Sequence, residues 1–191
     1  GPSKGKDVKL RKEIAIAIKE CMNHENIFGV LVSHGSSTVP RYIVDEINAL
    51  GGDVQNAYGI SADELQKAIP CGIGKINVDT DIRLAVTRNM KEFFAKHPEK
   101  HNSPSVGAIY ELLEKNKTQV DPRVFLTPIM ETLMKGTIPD EDVAAIVGCI
   151  EAGVKEAVGT LVVKFGSVGK APLVECVTLD EMAERYKKAG I

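Results

Sequence analysis

The sequence predicts an α/β fold in which short parallel strands alternate with helices. Residues 27–32 and 74–78 form two short apolar runs, which is typical of strands buried in a parallel sheet. A helical pattern precedes each run and a polar cluster follows it, an alternation typical of a βα-barrel or an open α/β sheet. Beyond His97 the strand signal fades. We therefore expect βα units over residues 1–96 and a mainly helical C-terminal extension over residues 97–191.

The helices are predicted from apolar residues that recur at steps of three and four. Ser61 with Glu64, and Thr178 with Glu181, have the spacing of capping boxes at helix starts. The predicted helices cover residues 8–22, 39–50, 62–69, 82–94, 106–114, 123–134, 141–163 and 178–188. Two or three strands cannot close a barrel, and an eight-stranded βα-barrel typically takes ~250 residues. The sequence therefore predicts part of such a fold.

Composition excludes several classes of protein. The 191 residues carry a net charge of −2, without the basic surplus expected of a nucleic-acid binder. No apolar run approaches the ~20 residues needed to cross a bilayer, and lysines near the N-terminus interrupt any signal-peptide pattern. The four cysteines are widely spaced and form no C-x-x-C. We expect a cytoplasmic protein that binds neither nucleic acid nor membrane.

The first polar cluster, His34-Gly35-Ser36-Ser37, follows the first predicted strand. Catalytic and ligand-binding residues gather at the carboxyl ends of parallel strands. A neutral imidazole is a good zinc ligand, and serine hydroxyls can donate hydrogen bonds to phosphate oxygens. The alternative is a surface turn with a solvated histidine.

The second cluster, Asn77-Val78-Asp79-Thr80-Asp81, follows the second predicted strand. Its amide, carboxylates and hydroxyl could hold a polyhydroxylated phosphate ester through several directed hydrogen bonds. The alternative is that one of Asp79, Thr80 and Asp81 caps the helix that follows.

Taken together, the two clusters carry a resemblance to a known family. The chain resembles the C-terminal portion of class II, zinc-dependent fructose-bisphosphate aldolases over nearly its whole length. The most specific part is the run from Lys75 to Ala85. The other matching segments are Val32 to Pro40, Gly51-Gly52-Asp53, Tyr58-Gly59-Ile60, Phe93 to Pro98, Asp121-Pro122-Arg123 and Phe165-Gly166-Ser167.

The resemblance implies a (β/α)8 TIM barrel whose last two strands are residues 27–32 and 74–78. It implies that His34 is a zinc ligand and that Asn77 is catalytic, holding substrate oxygens near the metal. The residues it implies for the phosphate of dihydroxyacetone phosphate are Gly5, Gly35, Ser36, Ser37, Asp79 and Thr80. Arg123 matches the arginine that, in the family, reaches the second phosphate from a neighbouring subunit.

The resemblance also implies Zn²⁺ as cofactor, with a monovalent cation as a second candidate, and a homodimer or homotetramer. Two departures from the family bear on this. Lys4 stands where the family has another zinc-binding histidine, and lysine is a poor zinc ligand. Gly1-Pro2-Ser3 is also typical of residues left by cloning, in which case that alignment is accidental. The second departure is the absence of the family's first six strands, with their histidine and their acid/base aspartate.

The expected function is reversible cleavage of fructose 1,6-bisphosphate into two triose phosphates, with the 191-residue chain alone inactive. Two alternatives stay open. One is a non-catalytic relic that binds phosphate or assembles with partners. The other is an aldolase for another ketose bisphosphate, such as tagatose or sedoheptulose.

Overall fold

The computed structural model describes residues 9–55 and 57–190. The predictions made for Lys4 and Gly5 lie outside these described residues. The elements, in chain order, are α1 (Lys12–His24), β1 (Leu31–Ser33), α2 (Arg41–Ala49), α3 (Ala62–Ala68), β2 (Ile73–Ile76), α4 (Thr80–Lys96), α5 (Gly107–Lys115), α6 (Pro122–Phe125), α7 (Met130–Met134), α8 (Glu141–Lys164) and α9 (Leu179–Ala189). Short 3₁₀ turns occupy Ile69–Cys71, Pro98–Asn102, Thr127–Ile129 and Ala171–Leu173.

The two strands pair in parallel, with α2 and α3 between them in the chain. Val32 lies opposite Lys75 and Ser33 opposite Ile76, so the strands end together at one edge of the sheet. Within the described residues the sheet has these two strands and the rest of the regular structure is helical. This agrees with the α/β prediction, while the barrel itself stays an expectation.

The prediction that residues 27–32 form a buried strand was wrong in its bounds and in its burial. Phe28 is 97% exposed and Val32 44% exposed. Strand structure begins only where the backbone finds a partner, and the N–H of Leu31 donates to the carbonyl of Gly72 at 2.9 Å. The second strand also lies earlier than predicted, at Ile73–Ile76, so the chain leaves the sheet just before Asn77.

Helix α4 is the centre of the packing, because it contributes side chains to both apolar cores. Val86, Met90 and Phe94 join a core formed with α5, α6 and the first half of α8. Leu84 and Ala85 join a second core formed with α2 and the middle of α8. Burial on both sides fixes the position of α4, and therefore of its N-terminus beside the strand ends.

The structure also tests the predicted bounds and caps of the helices. The predicted helix over residues 123–134 is broken into α6, a 3₁₀ turn and α7, because Pro128 lacks an N–H and clashes with a continuing helix. The predicted cap at Ser61 is confirmed, since its hydroxyl accepts from the N–H of Glu64 at 3.2 Å. The capping box of Thr178 and Glu181 is confirmed in full. None of the described helices is long and apolar enough to cross a membrane.

Candidate functional site at the carboxyl ends of the strands

The loops that follow β1 and β2 meet at one edge of the sheet. The N–H of Asn77 donates to the carbonyl of Ser33 at 2.9 Å, and the N–H of Ser36 donates to the carbonyl of Asn77 at 3.3 Å. These bonds continue the pairing of the strands into the loops. They bring together two polar clusters that are far apart in the sequence, as the prediction required.

The hydroxyl of Ser37 caps helix α4 from the other loop. Ser37 Oγ accepts from the N–H of Asp79 at 3.1 Å and from the N–H of Thr80 at 3.0 Å. Asp79 occupies the N-cap position, but its side chain makes no capping bond. A helix N-terminus carries unpaired N–H groups and a partial positive charge, which favours anions. Because both lone pairs of the Ser37 hydroxyl are occupied, its proton is free to be donated to a ligand.

Asp81 holds the first loop in its shape. Its buried carboxylate accepts from the N–H of Thr38 at 2.9 Å, the hydroxyl of Thr38 at 3.0 Å and the N–H of Val39 at 2.6 Å. Val39 has a φ of 50°, a conformation that costs a β-branched residue of order 1–3 kcal/mol. The three bonds to Asp81 therefore hold a strained turn in place.

Gly59 supports the same loop from the other side. A Cβ at this position would lie 2.1 Å from the carbonyl oxygen of Ser37. The next residue, Ile60, donates its N–H to that oxygen at 3.1 Å. Only glycine lets the two backbone segments approach so closely.

His34, Asn77 and Lys75 form a chain of hydrogen bonds across the strand ends. Lys75 Nζ donates to Asn77 Oδ1, and Asn77 Nδ2 lies 3.0 Å from His34 Nδ1. A lysine ammonium can only donate, so it fixes Oδ1 as the acceptor and turns Nδ2 toward the imidazole. His34 Nδ1 is therefore an unprotonated acceptor. His34 is exposed, and Asn77 is half-buried.

A network of opposite charges lies beside the second loop. Arg83 binds the carboxylate of Asp79, with Nε 2.9 Å from Oδ1, and reaches Asp121 Oδ2 at 2.8 Å. Arg123 Nε lies 3.0 Å from Asp121 Oδ1. The Arg123 side chain, together with its backbone N–H and Arg83, lowers the pKa of Asp121 to about 2. Arg123 is thus held near Asp79 within the same chain.

The remaining predicted residues are placed as follows. Gly35 is exposed and has a φ of 65°, a left-handed conformation that favours glycine. Ser36 is fully buried and its hydroxyl bonds to that of Ser33, so in this structure it holds the loop rather than facing a ligand. Thr80 is half-buried at the first turn of α4. The ligand-binding roles of all three residues stay predictions.

A pocket of about 550 Å³ opens beside this cluster. Asp79, Thr80, Arg83 and Asp121 line it, so the charged network forms one of its walls. This volume lies within the ~300–1,000 Å³ range of small-molecule sites.

The described residues do not make up a metal site by themselves. They contain no group of three or more His, Cys, Asp or Glu side chains placed to hold an ion. Catalytic zinc needs three protein ligands and an open position. His34 could supply one of these ligands, so the described part of the chain provides only a portion of such a site.

The sequence did not single out Gly59, Lys75 or Arg83 for a role, and it indicated Asp81 only as a member of the second polar cluster and as a possible cap of the helix that follows. Arg83 follows Asp79 by four positions on a helix, a spacing that predicts such an ion pair. The contact of Asp81 with the first loop spans 42 residues of sequence to Val39, so no local pattern indicates it.

Fold and site together define an α/β protein with a candidate anion-binding site where its parallel strands end. The sequence matches the family model described as "Fructose-bisphosphate aldolase class-II" over residues 1–151. The chain belongs to this family, and the resemblance seen in the sequence is confirmed. The family is metal-dependent and is named for a phosphorylated sugar.

Curated relatives carry the same name. The chain is 36% identical over 156 residues to "Fructose-bisphosphate aldolase" of Xanthobacter flavus, covering 82% of this chain and 33% of the relative. It is 32% identical over 161 residues to "Fructose-bisphosphate aldolase class 2" of Synechocystis, covering 84% of this chain and 34% of the relative. It is 31% identical over 180 residues to "Fructose-bisphosphate aldolase" of Giardia intestinalis, covering 94% of this chain and 43% of the relative. The chain thus spans about a third of the first two relatives.

Proposed function

We propose that this chain supplies the phosphate-binding strand ends of a zinc-dependent aldolase that reversibly cleaves fructose 1,6-bisphosphate into dihydroxyacetone phosphate and glyceraldehyde 3-phosphate. Membership of the family supports the reaction. The observation that carries the proposal is the junction of Ser37 with the N–H groups of Asp79 and Thr80. It joins two loops that would both contact one phosphate.

The phosphate of dihydroxyacetone phosphate binds at this junction. The N-terminus of α4 favours its negative charge, and the Ser37 hydroxyl donates a hydrogen bond. The carboxylate of Asp79 would repel a phosphate, but it is engaged by Arg83. Asp79 therefore contributes through its backbone N–H, which holds the Ser37 hydroxyl in place, and Gly35 lets the ligand approach the loop backbone closely.

His34 contributes one zinc ligand from its imidazole ring, whose Nδ1 lies 3.0 Å from Asn77 Nδ2. The bound ion would stabilise negative charge that develops on the substrate oxygens during cleavage. Asn77 lies beside that nitrogen and holds those oxygens by its amide. Lys75 keeps the amide from rotating.

Arg123 binds the second phosphate of the bisphosphate. Its planar guanidinium can form two parallel hydrogen bonds to phosphate oxygens. Asp121, which lines the 550 Å³ pocket, holds the Arg123 side chain by a hydrogen bond of 3.0 Å between Arg123 Nε and Asp121 Oδ1, and the exposed guanidinium would reach the second phosphate bound to a neighbouring subunit.

One observation favours a second function, a phosphate-binding protein without turnover. A single histidine reaches the site, and the described part of the chain holds no complete set of metal ligands. On that reading the loops would bind dihydroxyacetone phosphate, and no bond would be cleaved.

The test is a coupled assay of the full enzyme on fructose 1,6-bisphosphate, beside tagatose 1,6-bisphosphate and sedoheptulose 1,7-bisphosphate. We expect fructose 1,6-bisphosphate to have the highest kcat/KM. Asn77→Ala should lower kcat by on the order of a hundredfold, as loss of an electrostatic donor does, while the exposed control Asn102→Ala leaves it unchanged. Binding of dihydroxyacetone phosphate without any turnover would instead support the second function, a phosphate-binding protein. A higher kcat/KM on one of the other bisphosphates would make that compound the preferred substrate.

A further inference from the structure

Lys91 on α4 carries a buried amine without a partner. The residue is 4% exposed. In the described part of the chain, its Nζ is the one buried side-chain nitrogen or oxygen with no hydrogen-bond partner. The other buried polar side chains there are paired: Thr87, for instance, donates to the carbonyl of Val120 at 3.1 Å. Buried polar groups in folded proteins are almost always satisfied, so this amine calls for a partner from outside the chain.

A pocket lies against this lysine. It has a volume of about 150 Å³ and shares no lining residue with the candidate site at the strand ends. This volume is several times the ~10–15 Å³ needed to hold one water, so the pocket has room for a small molecule. Lys91 lines this pocket, and its Nζ ends a flexible four-carbon stem that can turn toward a molecule there.

The walls of the pocket are apolar and fixed. Leu50, Phe94 and Leu113 supply aliphatic and aromatic surface. The rings of His101 and Tyr110 stack with their centres 3.7 Å apart, and His101 Nε2 donates to the carbonyl of Phe94 at 2.9 Å. These contacts hold the stacked pair in one orientation. A short hydrocarbon group would therefore find a preformed surface.

The charges around the pocket limit the charge of its ligand. Burial lowers the pKa of Lys91, Glu114 raises it, and Lys117 lowers it further. Glu114 is exposed and lines the pocket, and its carboxylate lies 4.0 Å from Lys117. The Glu114 carboxylate at the edge of the pocket repels a multiply charged anion most strongly, while the Lys91 amine needs a hydrogen-bond acceptor. A ligand with a single negative charge satisfies both conditions.

We propose that the pocket beside Lys91 binds a small monocarboxylate, with the carboxylate on the Lys91 amine and its short carbon chain against Leu50, Phe94 and Leu113. Such a ligand has the size, the single charge and the apolar end that the pocket accepts. Inorganic phosphate is a mixture of monoanion and dianion near neutral pH and has no apolar end. This site is independent of the proposed aldolase reaction.

Binding is linked to protonation. A carboxylate beside the amine favours its charged form and raises the pKa that burial has lowered. At a pH above the lowered pKa, binding therefore takes up a proton, and the affinity falls as the pH rises. His101 and Tyr110, on the pocket wall, and Glu114 and Lys117, at its edge, are the other titratable groups that face the amine.

The experiment is calorimetric titration of the chain with sodium acetate, sodium propionate and sodium phosphate at constant ionic strength. We expect saturable binding of propionate and acetate with millimolar affinity, and none of phosphate. Lys91→Met should lower the affinity at least about tenfold, because it removes the charge-assisted hydrogen bond to the carboxylate. Lys96→Met is the matched control: Lys96 lies on the same helix, is exposed and pairs with Glu92, and its loss should leave binding unchanged.

Ala95→Leu keeps the amine and fills the exposed side of the pocket, since Ala95 is an exposed lining residue on a helix. It should also abolish binding, which covers the case in which Lys91→Met does not fold. No saturable binding of either carboxylate to the native chain would overturn the proposal. Equal binding by the native chain and Ala95→Leu, or by the native chain and a folded Lys91→Met, would overturn it too.

Discussion

The carboxylate of Asp81 accepts the N–H of Val39 at 2.6 Å, and Val39 is held at a φ of 50°. A buried carboxylate on α4 thus stabilises a strained turn in the loop after β1. The loop that carries His34 and Ser37 consequently depends on the helix that begins at Thr80. The loop after β1 and helix α4 therefore form one structural unit.

Replacing Asp81 with asparagine should destabilise the protein by about 2–3 kcal/mol. One carboxylate oxygen would become an amide NH₂ group, which cannot accept the hydrogen bonds that Thr38 and Val39 donate. The measurement is the free energy of unfolding in urea. Asp45→Asn serves as control, since Asp45 is exposed and pairs only with Arg41 on the surface of α2; its loss should cost about 0.5 kcal/mol or less. Equal midpoints for the two variants would show that the turn does not need the carboxylate.

Replacing His34 with alanine in the full enzyme should remove bound zinc and activity together while leaving the unfolding midpoint almost unchanged, because His34 is exposed. Elemental analysis of the purified protein measures the zinc. His24→Ala is the matched control, since His24 is exposed at the end of α1 and its ring lies 2.9 Å from the carboxylate of Glu25. Full zinc occupancy in His34→Ala would mean that His34 is not a ligand.

Replacing Arg123 with alanine should lower kcat/KM for fructose 1,6-bisphosphate by about ten- to a hundredfold, because each charge-assisted bond to phosphate contributes about 1.5–3 kcal/mol. Cleavage of fructose 1-phosphate, which lacks the second phosphate, should hardly change. The control Arg185→Ala removes an exposed arginine that pairs with Glu175. An equal loss on both substrates would make Arg123 a structural residue.

Acid should weaken the network around Asp121. Its pKa falls from the ordinary 3.8 to about 2 in the folded chain, chiefly because Arg123 donates to it. The unfolded chain therefore binds the proton more readily, and the stabilisation present above pH 4 is lost as the pH falls toward 2. We expect Asp121→Asn to lose on the order of 1 kcal/mol of this pH-dependent stability, allowing for solvent screening. Urea unfolding from pH 5 to pH 2 measures it, and parallel curves for the two proteins would contradict the assignment.

The features that depend on residues close together in the sequence were mostly predicted. The caps at Ser61 and Thr178 depend on residues three positions apart, and both are present. The polar clusters after the strands were also predicted, because the parallel arrangement brings strand ends together. The break at Pro128 was missed, although proline gives a direct signal for it.

The parts of the site that were missed depend on contacts between distant segments. The close approach of Gly59 to Ser37 depends on how two loops pack. The bond of the Ser36 hydroxyl to that of Ser33 spans only three residues, but no local pattern indicated it. The apolar run from 27 to 32 is predicted as a buried strand on composition, but its burial depends on neighbours that composition does not specify.

The side-chain hydrogen bonds that join the two loops of the candidate site link residues 42 or 43 positions apart, as between Ser37 and Thr80 or His34 and Asn77. Closing a loop of that length costs conformational entropy before any of these bonds can form. Neither loop therefore keeps its geometry by itself, and refolding should restore the helices, which depend on near neighbours, before it restores ligand binding. A cut at the exposed Gly51, just after α2, would leave the residues of both loops intact but place them in separate chains.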